Sequence, residues 1–395
     1  MKAVILCAGK STRTYPLTVN RPKCMVKFAG KILLEHILDS IVGLIDEVIL
    51  VVGFGKEMVK KKIGYEYRRM EITYVEQEKP MGTAHALLQA KEKVENDPWF
   101  IVMMGDNLYP RVSVEDMLGY GVSILGQKIE RPQDYGTLDV ERGFLVKIEE
   151  KPGKPKSDLV NTGLYVLNNR IFDAICKIRK SKRNEYELTD AVNLMLKDIR
   201  MRCFYTREWI PVTYPWDVLK ANQCILSEIK GGKRGKVEKN VVVKGNVYIG
   251  EGTVIKSGTY IEGPAYIGKN CIIGPNAYIR ANTSIGDNCK IRAEVVNSVI
   301  MDNVNAKHFS YIGHSVVGEN VNIAAGTVTA DFRHDGRTHI TIVKGKKIDT
   351  GLRKLGAFIG DDVRTGINTS IYPGRKLWPD TSTLPGEVVK SDKVK

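Results

Sequence analysis

The chain has 395 residues, of which 43% are hydrophobic, and its formal net charge is +15. This length and composition predict two folded domains with apolar cores and exclude a mostly disordered protein. The positive charge suits anionic ligands such as nucleotides and sugar phosphates. Nucleic acid is not an expected partner, because the basic residues are scattered and no zinc-finger or RNA-recognition pattern accompanies them.

No apolar run reaches the length of about 18 residues that a membrane-spanning helix needs, so no membrane association is expected. The seven cysteines are widely spaced and no C-x-x-C pair occurs. An odd number at such spacings predicts reduced thiols that serve as small apolar side chains. The apolar N-terminus is too short for a signal peptide, so we expect a cytoplasmic protein.

The first predicted element is a buried strand over residues 3–8, which leads into Gly9 and a polar run. Such a loop presents backbone N–H groups to anionic oxygens. Arg13 and Lys23 add two cations to the same stretch of sequence. The pattern indicates a phosphate-binding loop, and the alternative is an ordinary strand-to-helix turn with basic neighbours.

Two common phosphate-binding loops do not match this sequence. A Walker A loop needs a glycine where Val4 stands. A dinucleotide fingerprint needs glycines where Ser11 and Thr14 stand. What remains is the pattern L-x-A-G-x-[GS]-T-R followed by P-K.

Strand-like and helix-like segments alternate after this loop. Helical spacing of apolar residues predicts helices, and short apolar runs predict strands. Such alternation favours an α/β domain with a mostly parallel sheet covered by helices. The predicted segments are a helix over 32–44, a strand over 47–52, a helix over 56–63, a strand over 72–75, a helix over 82–94 and a strand over 100–104.

Asp106 directly follows the last of these strands. A carboxylate at the carboxyl end of a parallel strand lies at the edge where α/β sheets bind ligands. Mg²⁺ prefers such hard oxygen ligands, often together with substrate phosphates. A Gly-Asp pair is also common in turns, so the motif gains its meaning from the loop that precedes it.

The loop pattern resembles the signature of the sugar nucleotidyltransferases, with Ser11 in place of the family's usual second glycine. The resemblance implies a Rossmann-like nucleotidyltransferase domain with a mixed, mostly parallel sheet. It also implies that Arg13 and Lys23 are catalytic and that Asp106 holds the catalytic Mg²⁺. The residues that it assigns to nucleotide binding are Leu6, Ala8, Gly9, Gln77, Gly82 and Thr83.

Three further stretches extend the resemblance. In Q-E-K-P-M-G-T-A-H at 77–85, Gln77 would bond the base edge, and the alternative is an ordinary helix start at Gly82. The turns at 135–136 and 149–152 and the strand N-T-G-L-Y at 161–165 resemble the family's sugar-binding segments. Taken singly, the charged E-E-K-P is more often a solvated turn. The residues that the resemblance assigns to the sugar phosphate are Tyr135, Gly136, Glu150, Lys151 and Asn161.

The position of the family's second metal ligand departs from the pattern. Relatives often carry an acidic residue two positions after a tryptophan, where this chain has Pro211. Asp217 is the nearest carboxylate in the sequence and is our candidate ligand. Its alternative role is to cap a helix predicted over residues 218–229.

The sequence pattern changes beyond a polar, Gly-rich and basic segment. We predict a nucleotidyltransferase domain over 1–228, a linker over 229–239 and a second domain over 240–395. In the second domain an aliphatic residue recurs every six positions from Val243 to Ile291. This repeat predicts a parallel β-helix whose aliphatic side chains stack inside, with a slip of register near Asn297.

The repeat resembles the left-handed β-helix of hexapeptide acyltransferases, which implies a homotrimer. The segments K-H-F-S-Y-I-G at 307–313 and N-V-N-I-A-A-G-T at 320–327 resemble the acetyltransferase half of bifunctional amino-sugar-1-phosphate acetyltransferase/uridylyltransferases and their archaeal relatives. His308 would be the general base, Tyr311 and Asn322 would hold the sugar, and Ala325 would lie against acetyl-CoA.

Departures from this pattern bear on the second activity. Val296 stands where the family uses a lysine for the sugar phosphate, and Asp331-Phe332 replaces an Asn-Tyr pair. Arg337 is a candidate substitute cation, although arginine holds phosphate with a different geometry. A passive oligomerisation role is the alternative for this domain.

The predicted reaction is Mg²⁺-dependent transfer of a nucleotidyl group from an NTP (UTP or dTTP) to a sugar-1-phosphate, with release of pyrophosphate. Glucose-1-phosphate and N-acetylglucosamine-1-phosphate are the leading acceptors. The predicted second activity is N-acetylation of an amino-sugar-1-phosphate by acetyl-CoA. The alternatives are an acetyltransferase alone, a nucleotidyltransferase whose β-helix only trimerises, and a non-catalytic regulatory or scaffold subunit.

Overall fold

The computed structural model describes residues 1–394, which form two compact units. The α/β unit comprises Met1–Lys10, Pro22–Met25 and Leu33–Pro211. The β-helix unit comprises Ser11–Arg21, Val26–Ile32 and the described chain from Val212 onward. Two parts of the N-terminal region therefore pack with the β-helix, as do residues 212–228.

A ten-stranded mixed sheet forms the α/β unit. Its centre is parallel: Lys2–Leu6 lies between Glu47–Val52 and Phe100–Met104, and the interior residues of all three strands are buried. The order across the sheet is Gly136–Glu141, Phe144–Glu150, Arg202–Thr206, Ser123–Lys128, Leu159–Leu167, Phe100–Met104, Lys2–Leu6, Glu47–Val52, Met70–Glu76 and Glu66–Tyr67.

The register of the central strands determines where the functional loops emerge. Leu6 lies opposite both Val51 and Met104, so these parallel strands end level with one another. The segments that follow Leu6 and Met104 therefore leave the same edge of the sheet. Ligands of open α/β sheets bind at this edge.

Helices cover the sheet, and several predicted bounds are confirmed. Lys56–Ile63 is the predicted helix, and Glu47–Val52 and Phe100–Met104 are the predicted strands. The helices are Leu33–Ile41, Lys56–Ile63, Thr83–Leu88, Lys91–Val94, Arg111–Leu118, Arg170–Ile175, Leu188–Met195 and, in the β-helix unit, Asp217–Ser227, with 3₁₀ turns at Thr12–Thr14, Lys23–Met25 and Pro132–Asp134. Short antiparallel pairs join Lys27–Phe28 to Lys31–Ile32 and Asn107–Leu108 to Ile210–Pro211.

The single helix predicted over 82–94 is wrong. Two short helices stand there, separated at Gln89 and Ala90. The Gln89 side chain donates to the carbonyl of His85, which competes with the helical backbone bond at that oxygen. The N–H groups of Gln89 and Ala90 instead bond the carbonyls three residues earlier, so the helix tightens and ends.

The β-helix unit consists of short parallel strands that stack in three sheets, as the six-residue repeat predicts. The fold is the predicted left-handed parallel β-helix. The first sheet is Gly232–Lys233, Val247–Ile249, Ala265–Ile267, Thr283–Ile285, Val299–Ile300, Val316–Val317, Phe358–Ile359 and Lys376–Leu377. The second is Lys236–Val237, Val254–Ile255, Ile272–Ile273, Lys290–Ile291 and Asn305–Ala306, and the third is Val242–Lys244, Tyr260–Glu262, Tyr278–Ile279, Glu294–Val296, Tyr311–Gly313, Val328–Thr329, Ser370–Ile371 and Val388–Val389.

Each regular coil contains three hexapeptides. Val242 pairs with Tyr260, and Tyr260 with Tyr278, so the chain returns to the same face every eighteen residues. The repeating isoleucines point inward and are at most 1% exposed at positions such as Ile273 and Ile291. Asparagines with left-handed backbone recur at the corners, since asparagine adopts this conformation more readily than most residues.

Several coils depart from this eighteen-residue period. The coil from Tyr278 to Glu294 is two residues short, which is the slip predicted near Asn297. A long excursion between Val328 and Ser370 carries the hairpin Ile340–Val343 and Lys346–Asp349.

The first two strands of the β-helix, Gly232–Lys233 and Lys236–Val237, lie inside the segment 229–239 that was predicted to be a linker.

In the described part of the chain, no helix has the length and apolar character needed to cross a membrane.

Candidate active sites

The loop after the first strand combines an unobstructed glycine with a left-handed residue. A Cβ at Gly9 would meet no atom within 4 Å, so a ligand can approach its backbone closely. Ser11 has φ of 51°, a left-handed conformation that a glycine adopts without strain. This explains why related loops carry a glycine at this position. Leu6 ends the strand and Ala8 is buried behind the loop.

Lys23 and Asp106 form an ion pair in the α/β unit. The Lys23 ammonium lies 2.9 Å from Oδ2 of Asp106, and the side chains are 5% and 40% exposed. Gly105 lets the chain before Asp106 pack closely against the end of the first strand, because a Cβ there would lie 2.3 Å from the Cys7 sulfur and 2.9 Å from the Leu6 carbonyl oxygen. A buried cation therefore lies beside a carboxylate that solvent can reach.

Arg13 belongs to the β-helix unit, where it lies in the Thr12–Thr14 turn. Its guanidinium carbon is 6.0 Å from the ring centroid of Tyr214, at the outer limit of a cation–π contact. The Tyr214 ring stacks on Trp216 at 4.5 Å between centroids.

The side chains and backbone of the predicted base-reading segment, residues 77–85, contact one another and pack tightly. Gln77 is buried, and its amide nitrogen contacts the Gly82 carbonyl oxygen at 3.1 Å and Nδ1 of His85 at 2.9 Å. Gly82 has φ of 112°, and a Cβ there would lie 2.4 Å from the Tyr186 carbonyl oxygen, so only glycine fits. Burial lowers the pKa of His85, which favours the neutral ring against Gln77.

Thr83 is the first residue of the helix Thr83–Leu88, but its side chain caps the N-terminus of a different helix. Its hydroxyl accepts a hydrogen bond from the Leu188 N–H at 3.0 Å, at the start of the helix Leu188–Met195. Sequence patterns do not indicate this pairing, because Thr83 and Leu188 are far apart in the chain.

The five predicted sugar-phosphate residues lie in one cluster. Gly136 pairs with Glu150 across two strands, and the Lys151 N–H donates to the Tyr135 carbonyl at 3.1 Å. A Cβ at Gly136 would lie 3.8 Å from Cβ of Asn161. The Asn161 side chain in turn contacts the Tyr165 hydroxyl at 2.5 Å and the Gly163 N–H at 2.8 Å.

Arg183 is a member of this cluster that sequence reasoning missed. Its Nη2 lies 2.9 Å from Oε1 of Glu150 and 2.8 Å from Oε1 of Glu187. Burial raises the pKa of Glu150, while Arg183 and Lys151 act in the opposite direction. The basic cluster at 180–183 was visible in the sequence, but its partners were not.

Replacing Arg183 by Gln should raise the KM for the sugar-1-phosphate about tenfold, because Glu150 loses its cationic partner. The pKa of Glu150 should rise further, so more of this carboxyl is protonated in acid. The KM increase should therefore be larger at about pH 5.5 than at about pH 8. Steady-state kinetics at both pH values measure this effect. Arg179→Gln is the matched control on the same loop, and an unchanged KM in Arg183→Gln would contradict the assignment.

The position that departs from the family pattern, Pro211, lies beside the predicted metal ligand. Pro211 pairs with Asn107, which directly follows Asp106. An acidic residue at position 211 would therefore have been close to Asp106, and this chain lacks it. Oδ2 of Asp217 accepts hydrogen bonds from the N–H groups of Thr213 at 2.8 Å and Tyr214 at 2.7 Å. Among the described residues, no cluster of three or more His, Cys, Asp or Glu side chains is arranged to hold a metal.

The four predicted acetyltransferase residues lie on neighbouring coils of the β-helix. The Gly326 N–H donates to the Phe309 carbonyl at 2.8 Å, which places Ala325 next to His308. His308 is exposed, and the exposed Asn322 bridges to Asn305 on the preceding coil. The structure thus places all four residues on two stacked coils, with His308 and Tyr311 on one and Asn322 and Ala325 on the next.

Tyr311 is engaged in a contact that the sequence did not predict. Its hydroxyl donates to Oδ2 of Asp331 at 2.9 Å, and the same oxygen lies 2.6 Å from Nδ1 of His314. Burial would raise the pKa of Asp331, but the hydrogen bonds from His314 and Tyr311 outweigh it and hold that pKa below its usual value. The departure from asparagine at position 331 therefore creates a charged cluster.

The other departures lie at different depths. Val296 is buried at the end of its strand. Its apolar side chain cannot replace the family's lysine as a cation for the sugar phosphate. Arg337 is exposed, and its N–H donates to Asp335 at 3.1 Å.

Comparison with known proteins identifies the family. Residues 2–228 match the family model described as nucleotidyl transferase, and residues 259–372 match the one described as GMPPB C-terminal domain. The chain belongs to the nucleotidyl transferase family. It is a transferase, and its bifunctional relatives support both sugar-1-phosphate nucleotidyl transfer and acetyl transfer.

Several relatives match over nearly their whole length. A protein of Methanococcus maripaludis named bifunctional protein GlmU is 45% identical, covering 95% of this chain and 92% of the relative. A Sulfurisphaera tokodaii protein named bifunctional sugar-1-phosphate nucleotidylyltransferase/acetyltransferase is 41% identical over 99% of this chain and 98% of the relative. A solved structure of a putative glucose-1-phosphate thymidylyltransferase from Bacillus anthracis is 27% identical, with a TM-score of 0.53, and covers 59% of this chain and 98% of that structure.

Proposed function

We propose that the protein transfers a nucleotidyl group from UTP or dTTP to glucose-1-phosphate or N-acetylglucosamine-1-phosphate. A phosphate oxygen of the sugar phosphate attacks the α-phosphorus of the NTP, the bond to the β-phosphate oxygen breaks, and pyrophosphate leaves. The observation that carries the proposal is the contact of buried Lys23 with Asp106 at the carboxyl edge of the sheet.

The chemical task is to bring two polyanions together and to stabilise the charge that develops during transfer. Lys23 supplies a cation that is buried away from water. Electrostatic interactions are stronger there than in water, because the protein interior has a lower dielectric constant. The signature assigns Arg13 as a second cation for the phosphates and the N–H groups of Gly9–Thr12 as donors to them. The nucleophile is already anionic, so the reaction needs little proton transfer.

Members of this family generally use Mg²⁺, and the donor chemistry of Asp106 fits it, because a solvent-accessible carboxylate is a hard oxygen ligand. When bound, Mg²⁺ would neutralise charge on the phosphates. Asp106 would hold it, and Asp217 is the proposed second ligand. Gln77, Gly82 and Thr83 are proposed to contact the nucleotide, and the Glu150 cluster is proposed to contact the sugar phosphate.

The β-helix unit is proposed to carry the second activity. The amine of an amino-sugar-1-phosphate attacks the thioester carbon of acetyl-CoA and forms the amide bond, while His308 takes the proton from the amine. The carbon–sulfur bond breaks, and coenzyme A leaves as its thiolate. His308 suits this role because its ring is exposed and histidine is the commonest general base in enzymes. Tyr311 and Asn322 are proposed to hold the sugar, and Ala325 is proposed to lie against acetyl-CoA.

A homotrimer assembled through the β-helix is proposed from the resemblance and from apolar side chains on its surface. Val242, Val328 and Val388 are all exposed on the third sheet of the helix. Exposed apolar surface of this kind suits an interface between subunits. We also propose a cytoplasmic location, which agrees with the free cysteine thiols.

The test is pyrophosphate release with four sugar-1-phosphates against UTP, dTTP, ATP and GTP, with and without Mg²⁺. Metal-dependent turnover of one pair would support the proposal and name both substrates. Silence across the panel from folded protein would contradict it and favour the scaffold alternative. Consumption of acetyl-CoA with glucosamine-1-phosphate tests the second activity separately.

A further inference from the structure

Four carboxylates form a column along one corner of the β-helix. Each carboxylate lies two residues after the end of a strand of the first sheet, and the four strands belong to four consecutive coils. Because neighbouring coils stack directly, the four side chains project from one corner. They are Asp287, Asp302, Glu319 and Asp361.

The backbone of the coils holds this column in place. Lys269 N–H donates to Asp287 at 2.7 Å, and Asp287 N–H donates to Asp302 at 2.7 Å. Glu319 N–H donates to Asp361 at 2.8 Å. Negative charges on neighbouring coils repel one another, so nearby cations are needed to stabilise the column.

Two cations from the N-terminal segments of the β-helix unit meet this need. Arg21 contacts Glu319 through Nη1 at 2.5 Å and Asp361 through Nη2 at 2.7 Å, and its side chain is only 7% exposed. Lys27 contacts Asp287 and Asp302, each at 2.8 Å. Each cation therefore bridges two successive coils.

Losing one partner of these pairs should cost more than losing one partner of a surface ion pair, because the Arg21 and Lys27 side chains are only 7% and 14% exposed. Surface pairs contribute little because water screens them, whereas a buried charge without its partner is strongly unfavourable. Burial would raise the pKa of Asp287, but hydrogen bonds from Lys269 and Lys27 outweigh it and lower that pKa. These contacts fix the backbone at residues 21 and 27.

The segment between Ser11 and Arg21 makes further contacts inside the same unit. The Thr14 hydroxyl donates to the Thr213 carbonyl at 3.1 Å, and the Tyr15 ring meets the Trp378 ring edge-on at 6.4 Å between centroids. Arg13 lies within this segment, and Lys23 follows Arg21 by two residues. The part of the signature loop that carries Arg13 is thus anchored within the β-helix unit.

We infer that the carboxylate column of the β-helix, acting through Arg21 and Lys27, is a positioning device for the nucleotidyl-transfer loop. The inference rests on the proposed function, because it concerns the loop that carries Arg13 and Lys23. Glu319 and Asp361 are positioning residues, since they act through Arg21. The β-helix then contributes to both reactions, which distinguishes this role from passive oligomerisation and from acetyl transfer.

The first test compares the full-length protein with the double variant Glu319→Gln/Asp361→Asn, which keeps side-chain shape and removes both charges. We expect kcat/KM for nucleotidyl transfer to fall about 100-fold, because small misplacements of phosphate-binding groups are costly. Acetyl transfer should stay within about twofold. Glu387→Gln, which breaks the Glu387–Lys393 pair on the last coil, is the matched control and should leave both activities unchanged.

A double-mutant cycle separates positioning from general destabilisation. If Asp361 acts through Arg21, adding Asp361→Asn to Arg21→Gln should cost no further nucleotidyl transfer. Additive losses, or equal losses of both activities with a lower melting temperature, would overturn the inference. If the Arg21 or Glu319/Asp361 variants fail to fold, Lys27→Gln with Asp302→Asn provides the same cycle at the second bridge, and additivity there would also overturn it.

Hydrogen exchange followed by mass spectrometry gives a readout that does not depend on activity. Peptides covering residues 11–27 should be protected in the unaltered protein and should lose protection at least about tenfold in Glu319→Gln/Asp361→Asn. Unchanged protection would overturn the inference even if nucleotidyl transfer were present. Lost protection in a protein inactive on every sugar phosphate would instead contradict the proposed function alone.

Discussion

The Asp106→Asn variant should lose nucleotidyl transfer by a factor of about 10²–10³ in kcat while keeping acetyl transfer. The asparagine keeps the shape of the side chain but removes the charge that pairs with buried Lys23 and that would hold Mg²⁺. Pyrophosphate release at saturating NTP and sugar-1-phosphate measures the effect. Asp116→Asn, at an exposed aspartate on the helix Arg111–Leu118, is the control and should behave like the unaltered protein.

Lys23 and Asp106 should behave as a unit in these measurements. Once Lys23→Met has removed the cation, adding Asp106→Asn should cost much less than it does alone, because groups that act together are not additive. A kcat that is unchanged in Asp106→Asn would refute the metal-ligand assignment. Equal, independent losses from the two substitutions would refute their cooperation.

The His308→Gln variant should lose acetyl transfer by a factor of about 10²–10⁴, the usual contribution of a general base. Glutamine retains hydrogen-bonding capacity but cannot take the proton from the amine. Acetyl-CoA consumption with glucosamine-1-phosphate measures the loss, and nucleotidyl transfer should be unchanged.

His334→Gln is the matched control, because His334 is another exposed histidine of the same unit. If His308→Gln retains full acetyl transfer, the base must be another group. The His314 ring, which Asp331 contacts at 2.6 Å, would then be the first residue to test.

The repeat and the short motifs made much of this protein predictable. An aliphatic residue every six positions can be buried only if the chain turns at regular corners and stacks, so the pattern predicted the β-helix directly. The carboxyl-edge rule likewise placed Asp106 near the first loop, and the structure shows Asp106 in contact with Lys23. The assignment of the N-terminal domain followed from the spacing of Gly9, Arg13 and Lys23.

Other features depended on partners that are distant in the chain. The sequence contained no sign that Arg21 pairs with Glu319 and Asp361, that Arg183 pairs with Glu150, or that Asp331 joins Tyr311 to His314. A charged residue can pair with any opposite charge that the fold brings near, so composition and spacing do not select its partner. The break at Gln89 within the predicted helix is a comparable case, because a side chain there takes a backbone acceptor.

The sequence by itself determined the two architectures, the family and the residues of the family's motifs. Periodic burial and loop motifs depend on residues that are close together in the chain, so they can be recognised from the sequence. Only the tertiary structure decided which charges meet and that the segments Ser11–Arg21 and Val26–Ile32 pack with the β-helix. The physical reason is that ion pairing and burial act through space. They depend on contacts between residues up to about three hundred positions apart, such as Arg21 and Glu319.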